Sequence, residues 1–403
     1  MIVLTLNCGS STVKYKLINT ATQKNLAVGK ADRVGMMGAI IDVERPGGEK
    51  IVRETELLDH AMAISAIIRL LVEPELGILK SLDEIQAIGH RVVHGGETFT
   101  GSVRITDAVV QTLKDNIQLA PLHNPPNIVG IEAAMAILPN VPMVGVFDTA
   151  FHTTMPEHAY IYPIPYALYK KYAIRRYGFH GTSHFYVARR ACEILKTKAS
   201  ETNLITLHLG NGASATAVQG GKSVDTTMGF TPLEGLVMGT RCGDIDPAII
   251  IHIMDQEKIS VREANNLLNK FSGLIGISGQ SSDMRDLEDL YQKGDKQARL
   301  AIDIYAYRIK KYIGAYAAAL GQLDCIVFTA GIGENSPLIR EKSIEGLDRL
   351  GIKLEKKRND GLRSKEAVIS TDDSPVKVLV VPTNEELVIA MDTAEIVSGK
   401  KST

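Results

Sequence analysis

The chain of 403 residues is 45% hydrophobic and 23% charged, and its formal net charge is −1. This composition is ordinary for a globular protein, and a chain of this length is typical of two domains. A near-neutral charge argues against strong electrostatic attraction to nucleic acid or anionic membranes, so we expect neither as a partner.

Cysteine usage and the N-terminus predict a cytoplasmic location. The four cysteines are scattered without a CxxC pair, which argues against a zinc site and against a disulfide framework. Residues 1–11 lack the basic start and the long apolar core of a signal peptide. No apolar run reaches the ~20 residues that a transmembrane helix needs.

The first predicted element is a β-hairpin closed by a glycine turn. Residues 2–7 and 13–18 are rich in β-forming side chains, and the segment CGSST lies between them. A P-loop and a Rossmann fingerprint both require a helix directly after the glycines, and no helical pattern follows here. The segment is therefore interpreted as strand, tight turn, strand.

Helices and strands alternate along the rest of the chain. One predicted strand ends at Asp148, and three prolines between 156 and 165 mark a domain boundary. Ser260 and Glu263 predict a helix-capping box. Predicted helices cover 57–72, 127–137, 184–197, 295–319 and 382–397, and further predicted strands cover 204–209, 214–218, 324–330 and 377–381.

The hairpin has a second copy later in the chain. Aligning Gly9 with Gly210 superposes LTLNCGSST on ITLHLGNGA. A third glycine loop, GIGEN at 331–335, follows a predicted strand and precedes a helix. Two similar units predict a duplicated domain with one hairpin in each lobe.

Glycine turns of this kind suit phosphate groups. Main-chain N–H groups converge in a tight turn, and the missing side chain lets an anion approach closely. In the first hairpin Asn7, Ser10 and Thr12 add neutral hydrogen-bonding groups, and Lys14 adds a mobile positive charge. A single glycine turn is more often only a turn, whereas three of them at the ends of β runs predict a nucleotide phosphate site.

Ten segments of the chain resemble the acetate kinase family, and they extend from the first strand to the last helix. The segments are NCGSSTVK (7–14), GHRVVHGGE (89–97), APLHNPPN (120–127), FDTAFH (147–152), RRYGFHGTSH (175–184), HLGNGAS (208–214), DTTMGFTPLEGLVMGTRCGDIDP (225–247), SSDMRD (281–286), FTAGIGENSP (328–337) and PTNEEL (382–387).

The resemblance implies an α/β fold and a division of labour between two domains. The fold would be that of the actin, Hsp70 and sugar-kinase superfold, with two ribonuclease-H-like domains and the active site in the inter-domain cleft. Residues 1–152 plus 383–403 would form an N-terminal acetate-binding and catalytic lobe. Residues 153–382 would form a C-terminal nucleotide-binding lobe. The family further implies a homodimer.

The reaction implied by the resemblance is reversible, direct in-line transfer of the ATP γ-phosphoryl group to acetate, giving acetyl phosphate and ADP. It would depend on Mg²⁺, with Mn²⁺ as an alternative ion, and ATP and ADP would act as co-substrates. Phosphoryl transfer needs positioning and positive charge more than covalent chemistry. A guanidinium fork suits a carboxylate or a transferring phosphoryl group, although an arginine in isolation is more often part of a structural ion pair.

The matched motifs also imply individual site residues. The catalytic group would be Arg91, Asp148, His180 and Arg241. The acetate pocket would be lined by Arg91, Val93, Leu122, His123, Phe179, Pro232 and Arg241. The nucleotide contacts would be Ser10, Thr12, Lys14, His208, Leu209, Gly210, Asn211, Gly212, Asp283, Met284, Arg285, Gly331, Ile332, Gly333, Glu334 and Asn335. The metal would be held by Asn7 and Glu385.

Two acidic positions leave alternatives open. A carboxylic acid is already ionised at pH 7, so the acceptor needs no base, and we favour an indirect role for Asp148, through Mg²⁺-bound water or by orienting Arg241. Near the C-terminus, Thr383 and Glu386 fit a helix-capping box. We therefore assign the metal to Glu385 and the cap to Glu386.

Three positions depart mildly from the family pattern. Thr12 replaces a more usual Ser and keeps the hydroxyl, and Met284 replaces a frequent Phe beside the nucleotide. Cys242 stands where Ser is frequent, and because a thiol is a weak donor, a hydrogen bond that orients Arg241 is in doubt.

Three other functions are weighed. A propionate kinase differs by one methylene, which is worth only ~1–3 kcal/mol in an apolar pocket. A sugar kinase of the same fold would need a polar acceptor pocket, against which the paired arginines and the apolar wall argue. A nucleotide-switched binding protein like the Hsp70 ATPase lobe predicts slow ATP hydrolysis that no small acid affects.

Overall fold

The computed structural model describes residues 1–120 and 123–399 and divides the chain into two compact units. The first contains Met1–Ala150 and the segment that begins at Asn384, and the second is Phe151–Thr383. The predicted boundaries fall after residue 152 and before residue 383. Within the described residues, no helix combines the length and apolar content needed to cross a bilayer.

Fourteen strands and fifteen α-helices make up the described chain. The strands are β1 (Ile2–Cys8), β2 (Thr12–Asn19), β3 (Lys24–Asp32), β4 (Ile40–Glu44), β5 (Lys50–Glu54), β6 (Ala87–Val92), β7 (Val103–Arg104), β8 (Met143–Phe147), β9 (Asn203–Leu209), β10 (Ala213–Gln219), β11 (Lys222–Thr226), β12 (Cys325–Thr329), β13 (Ala367–Val368) and β14 (Lys377–Val380). The helices are α1 (His60–Leu71), α2 (Asp107–Asp115), α3 (Asn124–Ile137), α4 (Glu157–Tyr160), α5 (Tyr166–Tyr172), α6 (Gly181–Leu195), α7 (Pro247–Glu257), α8 (Val261–Lys270), α9 (Gly273–Ser278), α10 (Met284–Gln292), α11 (Lys296–Leu320), α12 (Ala330–Asn335), α13 (Pro337–Ile344), α14 (Lys356–Asn359) and α15 (Glu385–Val397).

The two sheets repeat one topology. The sheet of the first unit has the order β5-β4-β3-β2-β1-β6-β8-β7, and that of the second has the order β11-β10-β9-β12-β14-β13. Both contain an antiparallel meander, which includes β1-β2-β3 in the first unit and β9-β10-β11 in the second. The first strand of each meander also pairs in parallel with a later strand, β6 or β12, which in turn pairs in parallel with β8 or β14. The structure therefore agrees with the duplication that the two glycine hairpins predict.

The core of the first unit lies on both faces of its sheet. Along β1, Leu4 and Leu6 belong to the cluster that contains α1 and α3, whereas Val3 packs with Ala390 of α15. This alternation follows the two-residue period of a strand. On β6, a Cβ at Gly89 would lie 2.5 Å from the Thr393 hydroxyl, so glycine permits the close approach of α15. That approach sets the first turn of α15 near the end of β6.

Helix ends explain most differences from the predicted bounds. Helix α1 begins at His60 because Asp59 caps it, three residues later than predicted. Helix α3 begins at Asn124, earlier than predicted, because prolines are tolerated in a first helical turn. The capping box of Ser260 and Glu263 is confirmed at the start of α8.

The predicted capping box of Thr383 and Glu386 is wrong. The cap of α15 is Asn384, whose side chain accepts a hydrogen bond from the Leu387 N–H at 3.3 Å. The Glu386 carboxylate instead pairs with Lys16 at 2.9 Å. A strand residue far away in sequence thus competes successfully for the glutamate, which a local motif does not reveal.

Candidate active site

Three parallel strands of the first unit bring a polar cluster to one edge of their sheet. Asn7 lies near the end of β1, Arg91 near the end of β6, and Asp148 directly after β8. Parallel strands gather their carboxyl ends at the same edge, where ligands of open α/β sheets bind. Arg91 donates from Nε to Asp148 Oδ1 at 2.9 Å, from Nη2 to Asp148 Oδ2 at 2.6 Å, and from Nη1 to Asn7 Oδ1 at 3.3 Å.

The bidentate ion pair fixes the plane of the Arg91 guanidinium. Burial works against its charge, but Asp148 and the nearby carboxylates of Glu385 and Glu386 outweigh that effect and raise the pKa of Arg91. The Asp148 side chain is 2% exposed, so both of its oxygens are committed to Arg91 in a nearly dry site. Asp148 therefore orients Arg91, and its predicted indirect role, through Mg²⁺-bound water or by orienting Arg241, stays a prediction.

Glu385 opens α15 beside this pair and has an unsatisfied oxygen. Its Oε1 atom is buried and has no hydrogen-bond partner within residues 1–120 and 123–399. Burial raises the pKa of Glu385 to about 7, with Arg91 lowering it and Asp148 raising it. A buried carboxylate oxygen without a hydrogen-bond partner is suited to binding a cation.

The neighbouring acid is already neutralised. Burial tends to raise the pKa of Glu386, but the ion pair with Lys16 outweighs it and lowers that pKa. Of the two glutamates, Glu385 is therefore the one with free ligand capacity. A small pocket is lined by Thr5, Leu6, Asn7, Lys14, Arg91, Glu385, Glu386 and Ile389.

This donor set fits Mg²⁺ better than a transition metal. Among the described residues there is no group of three or more His, Cys, Asp or Glu side chains arranged to hold a metal. Mg²⁺ keeps several waters and takes one or two carboxylates together with substrate phosphates. A lone Glu385 with the Asn7 amide nearby is consistent with that preference.

The first glycine hairpin is built as its sequence predicts, but its hydroxyls differ in use. The Gly9 N–H donates to Thr12 O at 2.8 Å, which closes the turn, and Ser10 is exposed at its tip. The Thr12 hydroxyl donates to Asp32 at 3.0 Å within the sheet. A nucleotide contact by Thr12 stays a prediction, and in the structure its hydroxyl is occupied by a structural bond.

Two residues that the sequence did not single out hold this hairpin in place. Asn127 of α3 donates to Cys8 O at 2.7 Å and accepts from the Val93 N–H at 3.0 Å, so it ties the end of β1 to the segment after β6. His60 donates from Nε2 to Gly9 O at 2.6 Å. Asn127 lies in the matched segment 120–127, which was a signal for it, whereas His60 had none.

The predicted acetate-pocket residues of the first unit are described only in part. Val93 follows β6, and His123 directly precedes α3. Asn124 donates to His94 O at 3.1 Å, so the two segments run side by side. Leu122 lies outside the described residues.

In the second unit His180 is held in an unusual backbone conformation. It lies in the left-handed region, with φ 57° and ψ 22°, directly before α6. Such conformations are uncommon for residues other than glycine and cluster at functional sites. The His180 Nδ1 atom is 2.9 Å from the Ser214 hydroxyl, and its ring stacks on that of His208 with centroids 4.1 Å apart.

His180 and Arg241 meet at the second glycine hairpin. A Cβ built at Gly212 would lie 3.6 Å from His180 Nε2 and 3.7 Å from Arg241 Nη1. Arg241 Nη1 also donates to Pro232 O at 2.8 Å. Burial lowers the pKa of Arg241, and within its own unit no described carboxylate lies at ion-pair distance. A partly buried cation without a carboxylate partner in its own unit, beside a glycine turn, is suited to an anionic ligand.

The structure shows the hydrogen bonds of Cys242 and Phe179, which directly neighbour Arg241 and His180 in sequence. The Cys242 thiol donates to Gly243 O at 3.2 Å, so it does not orient the guanidinium of Arg241. Phe179 is buried, and its carbonyl accepts a hydrogen bond from His152 Nε2 at 3.0 Å.

A cavity of about 670 Å³ opens beside the same hairpin. Its size suits a nucleotide-sized ligand. The predicted nucleotide contacts that line it are Gly210, Asn211, Asp283, Met284, Arg285, Gly331, Ile332 and Asn335. It is also lined by residues that were not predicted, namely Ser282, Glu288, Ser336 and Arg363. Ser282 and Ser336 lie in matched segments, whereas Glu288 and Arg363 are isolated polar residues without a sequence signal.

The remaining predicted nucleotide residues lie outside that lining. Leu209 is fully buried in the sheet, and the Gly333 carbonyl accepts from the buried Arg340 at 2.9 Å. Burial raises the pKa of Glu334, which accepts from the Thr383 N–H at 3.2 Å. His208 is bonded to Ser183 at 2.8 Å. Direct nucleotide contacts by these residues stay predictions.

Comparisons with known proteins agree with this arrangement. The family model described as "Acetokinase family" matches residues 2–391. The acetate kinase of Alkaliphilus metalliredigens is 57% identical over 397 residues, covering 98% of this chain and 100% of the relative. The acetate kinase of Thermoanaerobacterium thermosaccharolyticum is 57% identical over 402 residues, covering 100% of both.

Solved structures show the same relationship. The crystal structure of Porphyromonas gingivalis acetate kinase matches with a TM-score of 0.95 and 49% identity, covering 98% of this chain and 99% of that chain. A propionate kinase from Francisella tularensis matches with a TM-score of 0.91 and 45% identity over the same shares. The predicted α/β fold class is thereby confirmed. The chain belongs to the acetokinase family, whose kinases use a carboxyl group as the phosphoryl acceptor.

Proposed function

We propose that this chain transfers the γ-phosphoryl group of ATP reversibly to acetate, giving acetyl phosphate and ADP in a Mg²⁺-dependent reaction. The observation that carries the proposal is the cluster at the sheet edge of the first unit. There a half-buried Arg91, fixed in plane by Asp148, lies beside Glu385 with its unsatisfied oxygen. The cluster offers a directed cation for an anionic acceptor and a carboxylate for a divalent ion at the same edge.

ATP is assigned to the second unit. The 670 Å³ cavity, bordered by Gly210 and Asn211 of the hairpin and by Gly331 after β12, supports that assignment. Glycine hairpins leave room and main-chain donors for phosphates, and the fully buried Leu209 anchors this one in the sheet. Met284 is 4% exposed and offers an apolar surface against which a base can pack.

The mechanism needs no general base. Acetate is ionised near pH 7, because ordinary carboxyl groups have pKa values near 4, so its oxygen attacks directly. Arg91 and Arg241 are assigned to orient the carboxylate and to neutralise the equatorial phosphoryl oxygens, and His180 donates a hydrogen bond to the same group. Bound Mg²⁺, held by Glu385 with Asn7 nearby, would neutralise charge on the phosphates.

Asp148 is assigned the role of a positioning residue for Arg91. Its two oxygens hold Nε and Nη2, which leaves Nη1 as the terminal nitrogen directed away from the pair toward Asn7. An ion pair of this geometry limits the guanidinium to one orientation. This role replaces the base that a hydroxyl acceptor would need.

We propose acetate as the acceptor, because the two curated relatives described above and one of the solved structures are named acetate kinases. Propionate stays the alternative, because the other solved structure is named a propionate kinase. One added methylene changes the binding free energy by only ~1–3 kcal/mol. We expect kcat/KM to fall in the order acetate, propionate, butyrate. A larger kcat/KM for propionate would reassign the substrate.

Hydroxylamine trapping tests the reaction class. When the protein is incubated with ATP, Mg²⁺ and acetate, hydroxylamine converts the acyl phosphate into a hydroxamate, whereas a sugar phosphate does not react in this way. We expect hydroxamate only when acetate, ATP and Mg²⁺ are all present. ADP production that is independent of any small acid, without hydroxamate, would instead indicate a nucleotide-switched ATPase.

We also propose that the chain acts as a homodimer in the cytoplasm. Helix α7 supports the dimer, because none of its residues is buried and it carries large apolar side chains on its surface. Ile249 and Ile251 are 45% and 69% exposed. The nearby Val261 and Phe271 are exposed as well. Light scattering would give the mass of two chains, and Ile251→Lys is expected to weaken that association. The four free cysteines are consistent with a reducing compartment.

A further inference from the structure

The second unit contains a chain of hydrogen bonds that no assigned role requires. It begins at Thr206 on β9, runs through His184 in the first turn of α6 and through Ser214 on β10, and ends at His180. The distances are 2.7 Å from Thr206 Oγ1 to His184 Nδ1, 2.7 Å from His184 Nε2 to Ser214 Oγ, and 2.9 Å from Ser214 Oγ to His180 Nδ1. Thr206, His184 and Ser214 are each fully buried.

The direction of the chain follows from its buried end. Among the described residues, the Thr206 hydroxyl has no partner besides His184 Nδ1. If His184 Nδ1 carried the proton, the hydroxyl hydrogen of Thr206 would be buried without an acceptor, which is costly. The favoured arrangement therefore has the Thr206 hydroxyl donating to His184 Nδ1.

The rest of the chain is then determined. A neutral imidazole has one donor and one acceptor, so His184 carries its proton on Nε2 and donates it to Ser214 Oγ. Burial lowers the pKa of His184 well below its ordinary value, so the ring is neutral. The Ser214 hydroxyl has one hydrogen, and with His184 already donating to it, that hydrogen is directed to His180 Nδ1.

We propose that Thr206, His184 and Ser214 are positioning residues that hold His180 as the neutral tautomer with its proton on Nε2. This inference rests on the proposed function of His180 as a donor to the phosphoryl group. Its Nε2 edge is the one that faces Gly212, where Arg241 Nη1 also lies. The chain thus directs the only hydrogen of the neutral ring toward the assigned site of phosphoryl transfer.

The surroundings of His180 favour the same neutral state. His208 stacks on the ring with centroids 4.1 Å apart, His184 lies 6.5 Å away, and Arg241 lies across Gly212. The guanidinium of Arg241 is positive, and a like charge nearby disfavours an imidazolium at His180. An imidazolium would also need Nδ1 to donate to Ser214, whose hydroxyl hydrogen would then lose its acceptor.

His152 has the tautomer that we assign to His180, and there a main-chain carbonyl fixes the position of the proton. His152 Nε2 is 3.0 Å from Phe179 O, and a carbonyl can only accept, so Nε2 carries the proton. Its Nδ1 then accepts from the Ser223 hydroxyl at 2.9 Å. Burial lowers the pKa of His152 to about 4, which agrees with a neutral ring. His152 therefore serves as an internal reference for the tautomer that we assign to His180.

Solid-state ¹⁵N NMR of the sedimented full-length protein, labelled in histidine, tests the proposal without reference to activity. His180 is assigned by the signals missing from His180→Gln. We expect the wild-type His180 to show a protonated Nε2 and an unprotonated Nδ1 at pH 7.5. A protonated Nδ1 would overturn the proposal.

Ser214→Ala then breaks the chain at its last link. We expect a mixture of both His180 tautomers, a rise of about half a unit to one unit in the pKa of His180, and a decrease of about 5- to 10-fold in kcat with little change in the acetate KM. Thr206→Val, which leaves only an unsatisfied acceptor on His184, is expected to shift the same signals less. Unchanged His180 signals in both variants would overturn the proposal.

Thr216→Val is the matched control. Thr216 is buried on β10 two residues after Ser214, but its hydroxyl bonds to Thr226 at 2.9 Å. It is expected to keep the wild-type His180 signals and kcat. The two proposals fail separately: absent hydroxamate with a protonated Nε2 contradicts the proposed reaction alone, and hydroxamate formation with a protonated Nδ1 contradicts the hydrogen-bond chain alone.

Discussion

Asp148→Asn probes the account most sharply, because the change keeps the shape of the side chain and removes its charge. In the structure both Asp148 oxygens accept from Arg91, at 2.9 and 2.6 Å. The amide offers one acceptor, and its NH₂ group would face a guanidinium N–H. Arg91 would then lose one of two charge-assisted bonds and its compensating charge, and it would no longer be held in one plane.

The expected size follows from the burial of the pair. Removing one partner of a buried ion pair costs about 3–5 kcal/mol, and the lower end applies because the Arg91 side chain is 23% exposed and the amide keeps one bond. A loss of about 3 kcal/mol in transition-state binding corresponds to a decrease of roughly 100-fold in kcat/KM for acetate.

The assay is steady-state ADP production at saturating ATP and Mg²⁺ with varied acetate. The matched control is Asp42→Asn, which removes another buried carboxylate of the same unit, bonded to the Lys30 N–H at 3.2 Å and paired with Lys50 at 3.3 Å. The control is expected to lose stability and keep its kcat/KM. Near-wild-type turnover and Mg²⁺ affinity in Asp148→Asn would refute the positioning role.

Four further predictions address the metal, the second glycine hairpin and the support of the first hairpin. Glu385→Gln is expected to raise the Mg²⁺ concentration for half-maximal activity at least tenfold and Glu386→Gln less than threefold; the reverse order would move the metal to Glu386. Because burial raises the pKa of Glu385 to about 7, the carboxylate is protonated below that pH, so the wild-type Mg²⁺ requirement is expected to rise about tenfold per unit below pH 7 and to stay level above it. Gly212→Ala places a Cβ at ordinary contact distance from its neighbours, so we expect the unfolding free energy to change by less than ~1 kcal/mol. The same Cβ would occupy space beside His180 and Arg241 that is assigned to the phosphates, so kcat/KM for ATP is expected to fall tenfold or more. The control Gly314→Ala, with open space around it, is expected to keep full activity. Asn127→Leu leaves the Cys8 carbonyl and the Val93 N–H without partners, and it is expected to lower the unfolding free energy by about 2–4 kcal/mol in urea denaturation. A loss below about 1 kcal/mol would show that the first hairpin does not depend on Asn127.

Local chain chemistry accounts for what the sequence predicts well. The glycine hairpins, the capping box at Ser260 and the strand that ends at Asp148 all follow from patterns within a few residues. The repeated hairpin indicates the duplicated sheet because two copies of one sequence pattern fold alike. These features position the sheet edges on which the candidate site is built.

Contacts between distant residues explain what local patterns miss. Lys16 takes Glu386 away from the predicted cap, and the Arg91 partner of Asp148 lies on a different strand. The hydrogen bonds from Asn127 depend on how α3 packs against β1 and β6. Which carboxylate pairs with which cation is decided by strand order and register, and neither is encoded in a short segment.

The histidine cluster shows the same limit. His180 is singled out by a motif, but its link through Ser214 to His184 and Thr206 joins two strands and a helix. No spacing pattern reveals a hydrogen-bond direction. It becomes visible only when donors and acceptors are counted in the folded chain.

Phosphorus NMR with ¹⁸O-labelled acetate is the most direct test of the central claim that the carboxylate oxygen itself attacks the γ-phosphorus. The enzyme, ATP, Mg²⁺ and acetate labelled in both carboxyl oxygens are mixed, and the ³¹P signals of the products are recorded. We predict acetyl phosphate whose phosphorus carries one ¹⁸O in the bridging position, together with unlabelled ADP. Formation of ADP and inorganic phosphate without a labelled acyl phosphate would contradict the account.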